Sequence, residues 1–202
     1  MDYGRSLAPN PEKTRFTSAY TAEPSPTGDL IAVMTGNRRD QEFDIVLVSA
    51  KDGQVVRNLT PGFNQDLGFR YITIPGGRFN TVPWLSWSPT GDRLAFIARF
   101  GKSKGVVIQE VVTKKVVQRI DLPTVDEPES PCFSPDGKSI VFSALQNAKS
   151  DIFTVTLATG QVTNLTQDQF YNYGPVFSPD GKTVVYLARI SGNEKLFRLD
   201  LS

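Results

Sequence analysis

The chain has 202 residues, with 22 basic against 21 acidic side chains and a formal net charge of +1. That balance argues against the basic field of a nucleic-acid binder, and the length is enough to bury one core. No histidine and a single cysteine, Cys132, occur, which removes the commonest general base, every Ser–His–Asp arrangement, an intrachain disulfide and a workable zinc site.

In chain order, the start Met1-Asp2-Tyr3-Gly4-Arg5-Ser6 has no apolar leader-like region, and no segment approaches the ~18 apolar residues of a spanning helix. No membrane insertion is expected, and any export signal would have been removed or lie upstream. Residues 12–20 can pair as a strand. Then comes a turn phrase, Ser25-Pro26-Thr27-Gly28, which returns as Ser88-Pro89-Thr90-Gly91, Ser134-Pro135-Asp136-Gly137 and Ser178-Pro179-Asp180-Gly181. Pro presets φ, Gly supplies positive φ and Ser can bond forward to the turn backbone, so each copy is a tight reversal. An alternating apolar run follows each: Leu30-Ile31-Ala32-Val33-Met34, Arg93-Leu94-Ala95-Phe96-Ile97, Ser139-Ile140-Val141-Phe142 and Thr183-Val184-Val185-Tyr186-Leu187.

A second phrase separates the turns. Asp44-Ile45-Val46-Leu47-Val48 with Gly53 to Thr60 matches Asp151-Ile152-Phe153-Thr154-Val155 with Gly160 to Thr166. The turn serines are spaced 46 and 44 positions apart in the second half, but 63 apart between Ser25 and Ser88. The excess falls on residues 61–81, where Gly62, Gly68, Pro75, Gly76 and Gly77 predict an inserted loop. Each period holds four short strands, A to D, and helical spacing is missing throughout. The expected fold is all-β, a β-propeller of about four four-stranded antiparallel blades.

The unit Ser-Pro-Asp-Gly, Lys-x-apolar-apolar-Phe, Asp-Ile-Phe-x-Val, Thr-Gly-x-Val-Thr-x-Leu-Thr resembles the WD40-like repeat of TolB-type propellers. Similar blades occur in prolyl oligopeptidase-like enzymes and large bacterial surface proteins. The resemblance covers residues 16–202 as one domain, with blades at 16–60, 82–120, 128–166 and 172–202. It is looser in the second blade, where Lys104 to Ile120 lacks the Thr-Gly turn. The last unit ends without its fourth strand, so a partial or small propeller cut from a larger exported bacterial protein is expected. Its edges would be satisfied by self-association, or by residues 1–20 closing a small ring. The resemblance implies a periplasmic or otherwise extracytoplasmic location, with the cytoplasm left open.

Several motif look-alikes carry no chemistry. Gly137-Lys138-Ser139 and Gly181-Lys182-Thr183 lack the upstream Gly and helix of a phosphate loop. Asn58-Leu59-Thr60 and Asn164-Leu165-Thr166 match a glycosylation acceptor but are equivalent repeat positions. Asp136 and Asp180 suit turn stabilisation better than calcium, and Asp126-Glu127 reads as a solvated loop. No Gly-x-Ser-x-Gly elbow occurs, and no cofactor or metal is expected.

Antiparallel order puts the A–B and C–D turns on one rim, where Ser25, Gly28, Ser88, Gly91, Ser134, Asp136, Gly137, Ser178, Asp180 and Gly181 are structural. The B–C and D–A connections form a longer, more varied rim, and binding residues favour such loops. Its candidate binding residues are Arg38, Arg39, Phe69, Arg70, Tyr71, Arg78, Phe79, Arg99, Phe100, Phe170, Tyr171, Tyr173 and Arg189, types enriched in interface hot spots. Trp87, Phe96, Phe133, Phe142, Phe153, Phe177, Tyr186 and Phe197 recur at equivalent positions and are expected in the core. The leading function is a non-catalytic scaffold binding a protein or peptide. The alternatives are a gating or substrate-presenting propeller of a serine hydrolase, and a carbohydrate-active enzyme using paired carboxylates.

Overall fold

A computed structural model describes residues 18–37, 42–60, 70–71, 85–100 and 102–201. Within them, all regular structure is β and falls into four antiparallel sheets. The first holds β1 (Ser18–Pro24), β2 (Leu30–Asn37), β3 (Glu42–Ser49) and β4 (Val55–Asn58), in sequence order. The second holds β5 (Arg70–Tyr71), β6 (Leu85–Trp87), β7 (Arg93–Phe100), β8 (Ser103–Glu110) and β9 (Val116–Asp121); β5 and β6 both pair with β7. The third holds β10 (Asp126–Phe133), β11 (Ser139–Gln146), β12 (Lys149–Thr156) and β13 (Val162–Asn164). The fourth holds β14 (Tyr171–Phe177), β15 (Thr183–Ile190) and β16 (Asn193–Asp200).

The turn phrase forms by local chemistry. In every copy the Gly N–H bonds the Ser carbonyl at 2.9 Å, with Gly φ between 69° and 76°. The Ser Oγ takes the N–H five residues on, at 2.9–3.1 Å, opening the next strand. An Asp holds each Ser hydroxyl, but from two places. In the Thr-Gly copies it is Asp29 or Asp92, after the Gly; in the Asp-Gly copies it is Asp136 or Asp180, inside the turn. These hydrogen bonds hold all four carboxyls below the ordinary range. Successive turns touch: a Cβ on Gly91, Gly137 or Gly181 would sit 3.6–3.7 Å from Pro26, Pro89 or Pro135 of the preceding copy.

Blades pack face to face with one repeating register. The outgoing face of the second blade (Ala95, Ile97, Val106, Ile108) meets Ile140, Phe142, Phe153 and Val155 of the third. The third blade's Val141 and Ile152 meet Val184, Tyr186 and Ala188 of the fourth. Phe142 stacks on Phe153 across its strand pair, and Tyr186 on Phe197, both at 5.7 Å between centroids. Such aromatic pairs add about 0.5–1.5 kcal/mol to their burial. Inner strands are stitched by Trp87 Nε1–H to the Glu23 carbonyl (2.8 Å) and Phe133 N–H to Ser86 Oγ (2.9 Å).

Three expectations change. Residues 70–71, inside the expected insertion loop, form β5 against Ala98 and Arg99. Ser18 and Ala19 belong to the first strand of the first blade, paired with Gly36 and Thr35, rather than to the last blade. The second blade keeps the C–D turn without its Gly: Lys114 takes φ 62° and bonds Glu110 O, as Gly53 and Gly160 bond Ser49 O and Thr156 O.

Candidate functional site

The two rims separate as strand order requires. C–D turns bond A–B turns through Ala50 N–H to Asp29 O, Val111 to Asp92, Leu157 to Lys138 and Leu201 to Lys182. On the other rim, Gln146 Nε2–H reaches Thr124 O across the third blade, and Lys104 Nζ meets Asp126 at 2.5 Å between the second and third. The expected length of the B–C loops is corrected there. Gln146 pairs with Lys149 and Ile190 with Asn193, so only Asn147-Ala148 and Ser191-Gly192 intervene. All four have positive φ, the mark of a type I′ hairpin, which matches the strand twist. The variety of this rim therefore lies in the D–A connections.

The D–A connection before the fourth blade is anchored by a buried polar network. Asp151 accepts from Asn164 Nδ2 and Thr166 Oγ1, each at 3.0 Å. Thr166 Oγ1 also accepts from Ile152 N–H (2.9 Å) and Asn172 Nδ2 (3.3 Å). Asn172 Nδ2 donates to Asp168 Oδ1 at 2.9 Å, and Ser150 Oγ–H to Asn172 O at 2.6 Å. The first blade repeats part of this: Asn58 Nδ2 bonds Asp44 at 2.8 Å, and Ile45 N–H bonds Thr60 Oγ1 at 2.7 Å. In the second blade Gly105 stands where these two have Asp, and a Cβ there would lie 2.1 Å from Ile120 O, so β9 runs too close for a side chain.

This anchoring presents Phe170 and Tyr171, each 37 % exposed. Tyr171 pairs with Arg189, which pairs with Glu194 and bonds it at 3.0 Å. Arg99 is exposed in the second blade, with Arg70 and Lys104 in direct register on either side. Arg99 and Lys104, like charges opposite one another across β7 and β8, repel, and Asp126 offsets this at Lys104. Glu127 (φ 45°) and Ser130 (φ 53°) sit at the bulges of β10, backbone outliers of a kind that clusters at functional surfaces.

Tyr173 is corrected. It is 3 % exposed, packs with the cluster joining the first and second blades, and holds the Tyr171 ring at 5.9 Å. It supports the rim from below. Arg38, Arg39, Phe69, Arg78 and Phe79 lie outside the described residues. Arg70, Tyr71 and Phe100 are placed by strand register alone. Lys104 and the Asp–Asn–Thr network were missed as site residues, although the repeated Asp…Asn-Leu-Thr spacing was a visible signal. Cys132 is mostly buried, which raises its thiol pKa and disfavours the reactive thiolate. Among the described residues, no group of three or more His, Cys, Asp or Glu could hold a metal ion, and no helix is long and apolar enough to cross a membrane.

The family model for the TolB β-propeller domain matches residues 80–202. The Tol-Pal system protein TolB of Francisella tularensis subsp. holarctica is 34 % identical over 90 residues, which is 43 % of this chain and 20 % of that protein. The crystal structure of TolB from Acinetobacter baumannii superposes with a TM-score of 0.70 at 21 % identity, over 91 % of this chain and 41 % of that one. A TolB candidate from Agrobacterium tumefaciens gives 0.69 at 18 % identity, over 92 % and 64 %. The chain thus spans about a fifth of the Francisella protein, 41 % of the Acinetobacter structure and 64 % of the Agrobacterium one.

Proposed function

The chain belongs to the TolB β-propeller family, and on that premise we propose that it is a non-catalytic binding scaffold acting in the periplasm as part of a Tol–Pal type system. It captures a protein or peptide on the rim built by its D–A connections. The observation that carries this reading is the pairing of rigid support with exposed hot-spot residue types. Phe170 and Tyr171 stand half-exposed over the buried Asp151–Thr166–Asn172 network, beside Arg189, with Arg99 on the same rim. Aromatic and Arg side chains held by an ordered base are the usual centres of binding energy. The opposite rim is made of repeated short turns whose polar groups bond one another, leaving little to recognise a partner.

Nothing in this reading asks the chain for chemistry. A sequence with no histidine lacks the usual general base, and the buried carboxylates Asp44 and Asp151 are engaged by Asn and Thr donors. The test is calorimetric titration with purified Tol–Pal components of the same organism. Arg99→Ala with Tyr171→Ala should weaken binding by at least ~2 kcal/mol, about 30-fold, with the fold intact by circular dichroism. Equal affinity for the variant would remove this rim from the interface.

A further inference from the structure

The D–A rim carries one register position that changes character from blade to blade. It lies eleven residues past each turn Ser and pairs with a third-strand residue: Gly36 with Phe43, Arg99 with Lys104, Leu145 with Ser150 and Arg189 with Glu194. On its other side it pairs with Ser18, Arg70, Asp126 and Tyr171 in turn. Among these four rows, the second blade's is the one made of basic residues throughout. The fourth blade gives its arginine a counter-charge, Glu194, bonded at 3.0 Å. In the second blade Lys104 stands in that place, and its ammonium is drawn to Asp126 of the third blade at 2.5 Å. Arg99 is left exposed, and among the described residues it has no ion pair and no side-chain hydrogen bond. Apolar clusters join the second blade to the first and to the third, so this uncompensated cation belongs to a blade packed on both faces. Local rules broken inside a well-packed element are expected at functional positions.

We propose that Arg99 anchors a carboxylate on an acidic segment of the partner protein, an inference that rests on the rim reading above. A guanidinium presents a planar fork that a carboxylate fills with two parallel hydrogen bonds, and it stays charged at every working pH. Lys104 cannot be that anchor, because its side chain is only 20 % exposed and Asp126 already holds it. The neighbours limit what fits. Asp126, 78 % exposed at its side chain, and the exposed Glu127 stand on the third-blade side. They repel any anion that extends past Arg99 in that direction, so the site takes one or two carboxylates rather than a uniform polyanion. A nucleic acid or polyphosphate also needs an extended basic field, which a net charge of +1 does not supply. Unlike Arg99, Arg189 already has its acid within the chain, so the partner's acidic residue belongs over the second blade. Charge attraction of this kind speeds encounter and fixes register more than it adds affinity.

The test is a nuclear magnetic resonance titration of the isotope-labelled chain with an end-blocked Glu-Glu-Tyr peptide at millimolar concentration. The expected result is a saturable shift of the Arg99 side-chain Nε–H signal and of the amides over residues 98–104. The shift should be lost with Arg99→Gln and with a Gln-Gln-Tyr peptide; the second comparison needs no variant and holds even if Arg99→Gln misfolds. No saturable shift over residues 98–104 overturns the proposal, and so does an equal response to Gln-Gln-Tyr. An equal response to inorganic phosphate means a bare anion site and overturns it too. Calorimetry with the purified Tol–Pal components separates this inference from the rim reading. Arg99→Glu should weaken binding more than Arg99→Ala, and added salt should weaken the wild type more than Arg99→Ala. Binding that Tyr171→Ala weakens and Arg99→Glu leaves unchanged refutes the acidic anchor and keeps the rim. Peptide shifts at residues 98–104 with no component bound keep the acidic site and remove the Tol–Pal reading.

Discussion

Replacing Thr166 with Val tests whether the repeated Asp–Asn–Thr network holds the blade together. Valine keeps the shape of threonine and deletes the hydroxyl. That oxygen accepts from Ile152 N–H at 2.9 Å and Asn172 Nδ2 at 3.3 Å, and donates to Asp151 at 3.0 Å. After the change Asn172 keeps Asp168, and Asp151 keeps Asn164, but the buried Ile152 N–H has no replacement. One orphaned buried amide costs about 1–3 kcal/mol, and a weakened bond to a buried carboxylate adds roughly 1. The expected loss is therefore about 3 kcal/mol. For a chain of this size each kcal/mol moves Tm by about 2–4 °C, so thermal unfolding by circular dichroism should drop by about 6–12 °C. Thr166→Ser keeps the oxygen and should lose about 1 kcal/mol. Hydrogen exchange over residues 165–171 should rise for Val and stay near wild type for Ser. Equal stability of the Val and Ser variants would refute the role given to the hydroxyl.

Two further outcomes concern the turns. Lys114→Gly relieves a left-handed residue (φ 62°) at a position where the first and third blades use Gly, and should raise stability by about 1 kcal/mol in urea unfolding. No gain would mean that the Lys114 side chain contributes there. Asp29, Asp92, Asp136 and Asp180 titrate below the ordinary range because Ser or Thr hydroxyls bond them. Their contribution is complete above about pH 4, the unfolded value, and is lost as pH falls through the lower folded values. Glu23 opposes this, since burial raises its pKa and its cost appears as pH rises through the unfolded value. Asp52 is lowered in the same way, so five groups stand against one, and the urea midpoint should fall as pH drops below about 4. Asp136→Asn with Asp180→Asn should flatten that fall, and an unchanged profile would contradict the assignment.

Local devices were the legible part of the sequence. Ser-Pro-x-Gly carries its own hydrogen bonds, so four copies revealed four A–B turns and the spacing of the blades. Phe142 with Phe153, and Tyr186 with Phe197, were legible as core because equivalent positions repeat. Tyr173 was not. It shares a face with Tyr171, and only its packing against residues of the first and second blades buries it. That contact spans most of the chain and leaves no local trace. The tight B–C hairpins were hidden because Asn147, Ala148 and Ser191 take positive φ without being Gly. The Asp151–Asn164–Thr166 network showed itself only as repetition; its purpose needed the β12–β13 register, which sets Asn164 opposite Phe153 and lets the chain turn back to Ile152.

The central claim is that a partner binds the D–A rim and leaves the turn rim free. Hydrogen-exchange footprinting of the chain mixed with purified Tol–Pal components tests it most directly. The account predicts protection over residues 98–104 and 165–172, with residues 25–28, 88–91, 134–137 and 178–181 unchanged. Protection confined to the four Ser-Pro-x-Gly turns would contradict it.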